Sequence, residues 1–390
     1  MTKRKKFAMI YSEISQNKQT ILHTMSVELL ESSNVSHELT EQDFIDDATT
    51  KEQQRRFELR ERICHDAELC QVIGDIASIR KANGDPNFTD VDIDILTDYD
   101  SFEAAFLAGQ TAFDFRTKED GSYGERWEAV ERAEKYLMAN LTPEQEKKIF
   151  SALELFTLVG DTEPDEPEAE AAIVLGGGGK SPLERTADIK KRIDNGSIRV
   201  QRVIGLGSER KVDAAERERA GEYAKDAETE FDLVVAAFED QFNITIEPDD
   251  ITTITTHTEY DVPRVHKLVA IPENFRGQHP ELIITSSGIL TNPFFTTMRN
   301  GKQVEALRNR ANTDDTFKLL TLLKLFKPGD KLFVSTQAHF APFQGQSAAN
   351  EFAKQGIYAQ VLGFQPKAPK KVYELLQESV SFMAKLRDVV

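Results

Sequence analysis

Along roughly the first 160 positions, apolar residues recur at spacings of three and four. Beyond about position 170 they gather into short unbroken runs separated by amphipathic stretches. The first pattern predicts helices over Phe7–Leu30, Phe57–Ile79, Phe102–Phe113 and Trp127–Leu158. Breakers fall between them at Asn83-Gly84-Asp85-Pro86 and Asp120-Gly121-Ser122, and Thr142-Pro143-Glu144-Gln145 reads as a capped helix start. The second pattern predicts strands over Ala171–Leu175, Ile198–Leu206, Glu281–Ser287, Lys331–Thr336 and Ile357–Leu362. Helices are expected between or after them at Leu183–Ile193, Ala227–Phe242, Thr313–Phe326, Ser347–Gln355 and Lys370–Arg387.

Strands alternating with helices of this length form right-handed βαβ units and a parallel sheet. The expected architecture is therefore α/β, a mostly parallel sheet with helices on both faces, preceded by an all-helical N-terminal domain. Residues 1–160 form that domain, and 161–170 (DTEPDEPEAE) an acidic linker with two prolines and no large apolar residue. Residues 171–390 form the α/β domain, with an insertion near 251–300 that holds candidate strands at Ile251–Thr258 and Lys267–Ile271.

Charge changes the list of partners. The 390-residue chain carries a net charge of −18. Phosphate backbones are bound by clustered Lys and Arg, so nucleic acid is not an expected partner. No stretch approaches the ~20 apolar residues of a membrane span, and the apolar run after MTKRKK stops at Tyr11, too short for a signal peptide. The expected location is cytoplasmic, with no membrane partner. Cys64 and Cys70 sit six apart in a helical stretch, which is neither a zinc pair nor a redox pair. His257, His266 and His279, near Glu259 and Asp261, are too irregularly spaced for a metal signature, so no metal is expected.

Candidate chemistry centres on AAIVLGGGGKS, Ala171–Ser181. A buried strand breaks into four glycines, Gly176, Gly177, Gly178 and Gly179, followed by Lys180, Ser181 and Pro182 at the start of a helix. Ser181 with Glu184 reads as a capping box. A glycine loop feeding a helix start exposes unpaired amides beside a positive dipole end, which suits an anion. The spacing matches neither the phosphate loop of nucleotide hydrolases nor the dinucleotide fingerprint, and a ligand-free βα turn is the alternative. Other polar groups fall at strand ends: Arg185; Gly207, Ser208 and Arg210; Thr336 and His339; and Asn312-Thr313, preceded by Arg308 and Arg310. Several cations there would focus an anionic small molecule in an acidic protein. Ser335 with His339 lacks a nucleophile elbow, so a serine hydrolase is not expected.

The order of these motifs resembles the YdcF-like and SanA-like family, a bacterial family with a Rossmann-like fold. The resemblance runs over about Ala171 to Phe364, through AIVLGGGGKS, VIGLGSER, Glu228-Thr229-Glu230-Phe231, RANTDDTF and LFVSTQAHFAPFQGQ. Pro342 stands where many members have Arg after the His, and Thr316-Phe317 where many have Asn. The resemblance implies a small-molecule site lined by the glycine loop, Glu230, Asn312-Thr313 and His339, with an S-adenosylmethionine-like or nucleotide ligand. The leading expectation is a protein that binds a phosphorylated or nucleotide-like metabolite, with Glu230 or His339 as acid or base should it catalyse a reaction. The alternative is a non-catalytic interaction or sensor protein that binds a protein partner through its N-terminal helices.

Overall fold

The computed structural model describes residues 40–117, 126–154, 156, 161–257, 263–271, 280–290, 294–299, 302–307, 311–365 and 371–387. The expected helix over Phe7–Leu30, and Arg308, Arg310 and His279, lie outside the described residues. The chain divides into two compact units, Met1–Thr40 and Glu41–Val390, and every element below belongs to the second.

Six helices come first: α1 (Glu41–His65), α2 (Ala67–Ala82), α3 (Ile93–Thr97), α4 (Phe102–Phe113), α5 (Arg126–Tyr136) and α6 (Pro143–Glu154). The periodicity over Phe57–Ile79 is shared by two helices, because Asp66 leaves helical geometry and its carboxylate accepts from the Leu69 amide at 2.7 Å. That bond satisfies one of the orphan donors at the start of α2. Thr142 and Gln145 close a reciprocal cap before α6, at 3.2 and 2.9 Å. The apolar stripes of these helices meet in one core that includes Ile73, Ile76, Phe113 and Leu153. The last helix, α12 (Val372–Arg387), joins the same core through Leu376, Phe382 and Met383.

The remaining elements are β1 (Glu168–Leu175), α7 (Ser181–Asp194), β2 (Arg199–Ser208), α8 (Ala214–Ala220), α9 (Glu230–Phe242), β3 (Thr252–His257), β4 (Pro263–Ile271), β5 (Glu281–Ser287), β6 (Phe294–Arg299), β7 (Lys302–Leu307), α10 (Thr313–Leu322), β8 (Lys331–Gln337), α11 (Ala341–Phe352) and β9 (Tyr358–Phe364). Seven strands form one mostly parallel sheet in the order β3-β4-β5-β2-β1-β8-β9. β5, β2, β1, β8 and β9 run parallel, and β4 and β3 continue antiparallel beyond β5. Strand β1 is the middle one of the five parallel strands, and Ala171–Leu175 is fully buried, as an unbroken apolar run in a parallel sheet should be.

Two boundaries differ from the sequence reading. β5 falls inside the expected insertion, yet pairs with β2 from Arg202–Glu281 to Ser208–Ser287. The acidic stretch 161–170 is tied to the sheet: the Thr162 amide donates to the Gly363 carbonyl at 2.8 Å, and β1 begins at Glu168. Among the described residues, no helix is long and apolar enough to cross a membrane.

Candidate functional site

Strands β1 and β2 end side by side, Leu175 opposite Leu206, and both chains turn away into loops that feed helices. A cavity of about 860 Å³ opens at these ends. Its floor is Gly176, Gly177 and Gly178 after β1, with Gly207 and Ser208 at the end of β2. Its walls bring in Ser181 and Arg185 from α7, Glu230 from α9 and Asn312 and Thr313 from α10. Ligands of open parallel sheets collect in such a crevice.

The loop conformation depends on its glycines. Gly179 has φ +62°, which favours glycine. A Cβ on Gly176 would lie 2.5 Å from the Leu206 carbonyl oxygen, so a side chain there would push β1 from β2. Among the described residues, the amides of Gly177, Gly178 and Gly179 donate to no protein acceptor. Ser181 is not the helix cap. Lys180 holds that position without a side-chain bond, and Glu184 instead accepts from Gln337 Nε2 at 2.8 Å.

Arg185 is the unusual group. It is 2 % exposed, at the base of the cavity. Both of its hydrogen bonds leave from Nη1 and end on backbone carbonyls, at 2.9 Å to Leu175 and a shorter one to Gly176. Nε is buried with no acceptor, and the guanidinium has no ion-pair partner among the described residues. Burial pulls its pKa down to about 10, against the charges of Glu230 and Glu184, which favour the cation. At neutral pH it therefore remains charged. A buried charge without a counterion costs several kcal/mol, so retaining one calls for something that compensates it.

A second group sits beside it. Ser208 Oγ donates to Glu230 Oε2 at 2.5 Å, and Arg210 Nε lies 3.7 Å from the same oxygen. Arg210 is chiefly engaged with Glu216, through Nη1 at 2.7 Å and Nη2 at 3.0 Å. That pairing raises Arg210 and holds the Glu216 carboxyl below its ordinary value. Arg210 is thus paired with a carboxylate, whereas Arg185 has none in contact among the described residues.

At the third wall, Asn312 caps α10: its Oδ1 accepts from the Asp315 amide at 3.0 Å, and Asp315 Oδ2 accepts from the Asn312 amide at 2.8 Å. Gln344 Oε1 accepts from Thr336 Oγ1. Both side-chain oxygens are therefore occupied, which leaves the NH₂ ends as donors for the cavity.

Not every expected residue reaches the cavity. Lys180 is exposed, and neither it nor Gly179 lines the space. Thr336 is buried behind Gln344. His339 is buried with its ring 4.0 Å from that of Phe340, and it does not line the cavity. Several lining residues were not singled out in the sequence: Arg219 on the rim, Phe340 and Phe343 within the quoted LFVSTQAHFAPFQGQ motif, and Glu374 and Lys385 of α12, outside every motif. Lys385 pairs with Asp314 at 2.9 Å. Among the described residues, no group of three or more His, Cys, Asp or Glu is placed to hold a metal ion.

Comparison of the chain with family models, with curated proteins and with solved structures finds no match.

Proposed function

We propose that this cavity binds a phosphorylated or nucleotide-like small molecule, and that the sheet is Rossmann-like with helices on both faces. The fold reading draws on two apolar cores. Ala171, Ile173 and Leu175 share one with Phe317 and Leu320 of α10 and Phe352 of α11. Ala172 and Val174 share the other with Ile189 of α7 and Phe231 and Phe238 of α9. Successive strand residues face opposite sides, so the two cores flank the sheet.

The observation that carries the functional reading is Arg185, a buried cation without a carboxylate, beside a glycine loop with unused amides. A ligand phosphate would take the Gly177 and Gly178 amides, the Ser181 hydroxyl and the free edge of Arg185, and be favoured by the start of α7. The volume suits a nucleotide-sized molecule. Asn312 and Gln344 would orient its uncharged part through their NH₂ groups. Glu230, aligned by Ser208, is the group placed to exchange a proton with bound ligand should the protein act as an enzyme.

Native mass spectrometry of the full chain, purified without additives, tests this. The expected spectrum contains a non-covalent adduct with a phosphate-bearing mass that is lost on denaturation. Bare polypeptide alone, together with no rise in melting temperature on adding phosphate esters, would contradict the proposal.

A further inference from the structure

The glycine loop already has an anion lying on it. Glu216, on the short helix α8, places Oε1 2.1 Å and its carboxyl carbon 3.1 Å from where a Cβ on Gly178 would be. Only a glycine admits that approach. The carboxylate is gripped at both oxygens by Arg210 and also accepts the Asp213 amide at 3.3 Å. The other groups here are built to receive negative charge: Arg185 below the loop, unpaired and buried, and Arg219 crossing Gly179, its Nε 3.7 Å from the position of a Cβ there.

We infer that Glu216 is an internal competitor for this anion cradle, and that it makes the site select phosphate over carboxylate. The inference rests on the anion-binding reading of the same cavity. A ligand carboxylate brings one negative charge and two oxygens, the same as the group it must displace or sit beside, and it leaves Glu216 without compensation. A phosphate monoester brings a charge of about −1.5 to −2 and three terminal oxygens, so it can satisfy Arg185 and the loop amides and also draw Arg210 from Glu216. Repulsion from the resident carboxylate weakens every anion, so the advantage of phosphate lies in its further oxygens and charge, which engage Arg185, the loop amides and Arg210 together.

The test is calorimetric titration of the full chain with phenyl phosphate and with benzoate, which share a ring and differ in the anion. The wild-type chain is expected to bind phenyl phosphate and to give no measurable heat with benzoate. Glu216→Gln, which keeps the shape and one acceptor oxygen while removing the charge, is expected to bind phenyl phosphate at least about tenfold more tightly and to acquire benzoate binding. Glu216→Ala should behave the same way, which guards against a fault peculiar to one replacement. Asp213→Ser removes a nearby charge while keeping a cap for α8, and it should leave affinity within about twofold. Circular dichroism of each variant checks that it is folded. If phenyl phosphate binds the wild type and both Glu216 variants equally, or the variants more weakly, Glu216 is not a competitor and the anion site stands without it. If Asp213→Ser tightens binding as much as Glu216→Gln, general loosening or charge explains the gain and the inference falls. If no folded form binds either anion, the anion-site reading falls and this inference falls with it.

Discussion

Among the described residues, two arginines are fully buried, Arg80 and Arg185, and they are kept there on opposite terms. Arg80, in the helical region, meets Asp85 through Nε at 2.7 Å and Nη2 at 2.6 Å. Its Nη1 donates to the carbonyls of Ala112 and Asp114 at 2.8 and 3.0 Å, and the rings of Phe88 and Phe115 cover its two faces at 4.4 and 4.1 Å. Arg185, under the glycine loop, has two carbonyls on one nitrogen, one ring at 5.9 Å, no carboxylate and an open cavity above it. The first arrangement sets the cation against a carboxylate and tethers three segments of chain, although Nη2, close to Asp85, makes no well-aligned hydrogen bond. The second has no carboxylate in contact, and the proposed anion site rests on that difference: the contrast with Arg80 shows that this chain can pair a buried cation when the role is structural.

The contrast can be broken experimentally, most forcefully at Arg80. Asp85→Ala strands Arg80, and Arg132 at 3.3 Å, beside an empty position. The expected loss is about 3–5 kcal/mol by urea denaturation, and a wild-type midpoint would undo the structural reading. The corresponding change at the site should behave differently. Arg185→Met removes a buried charge that no carboxylate contacts, only the more distant Glu230 and Glu184 offsetting it, so stability is expected to change by less than about 1 kcal/mol, or to rise. Between these in size is Gly207→Ala. Its Cβ would meet the Phe231 backbone, with Cα at 2.7 Å, so β2 must move from α9 at a cost of roughly 1–3 kcal/mol, readable as a lower melting temperature. The smallest effect concerns pH. Arg210 lowers the Glu216 carboxyl below its ordinary 4.5, so the ion pair contributes in full above that value and is lost as pH falls through the lowered one. Because the pair is partly exposed the contribution is at most about 1 kcal/mol, and Glu216→Gln should show a correspondingly shallower loss of stability on acidification below pH ~4.5.

What the sequence made legible follows from what each signal encodes. The run Ala171–Leu175 breaking into glycines before Pro182 specifies strand, turn and helix locally, and those residues are the floor of the cavity. Ser208, Glu230, Asn312 and Thr313, which line the cavity, were legible because strand ends and helix starts converge on one crevice of a parallel sheet. Lys180 was misleading because adjacency along the chain does not fix direction: at the cap of α7 its side chain faces solvent, while Arg185, further along the helix, turns back under the loop. The pairing of Arg210 with Glu216 and the approach of Lys385 and Glu374 depend on tertiary placement that periodicity does not carry. Likewise the stripe of α12 announces an amphipathic helix but not its partner, and that partner is the helical core rather than the sheet. The β-branched runs at 251–271 indicate strands without their direction, and β4 proves antiparallel to β5.

The most direct test compares ligand-induced stabilisation in three forms of the full chain: wild type, Lys180→Ala and Arg185→Met. Phenyl phosphate at about a hundred times its half-saturating concentration should stabilise the wild type and Lys180→Ala by about 2.7 kcal/mol in urea titrations. Arg185→Met, folded and at least as stable without ligand, should gain nothing. An Arg185→Met protein that keeps the full gain would contradict the claim that this buried cation awaits an anion.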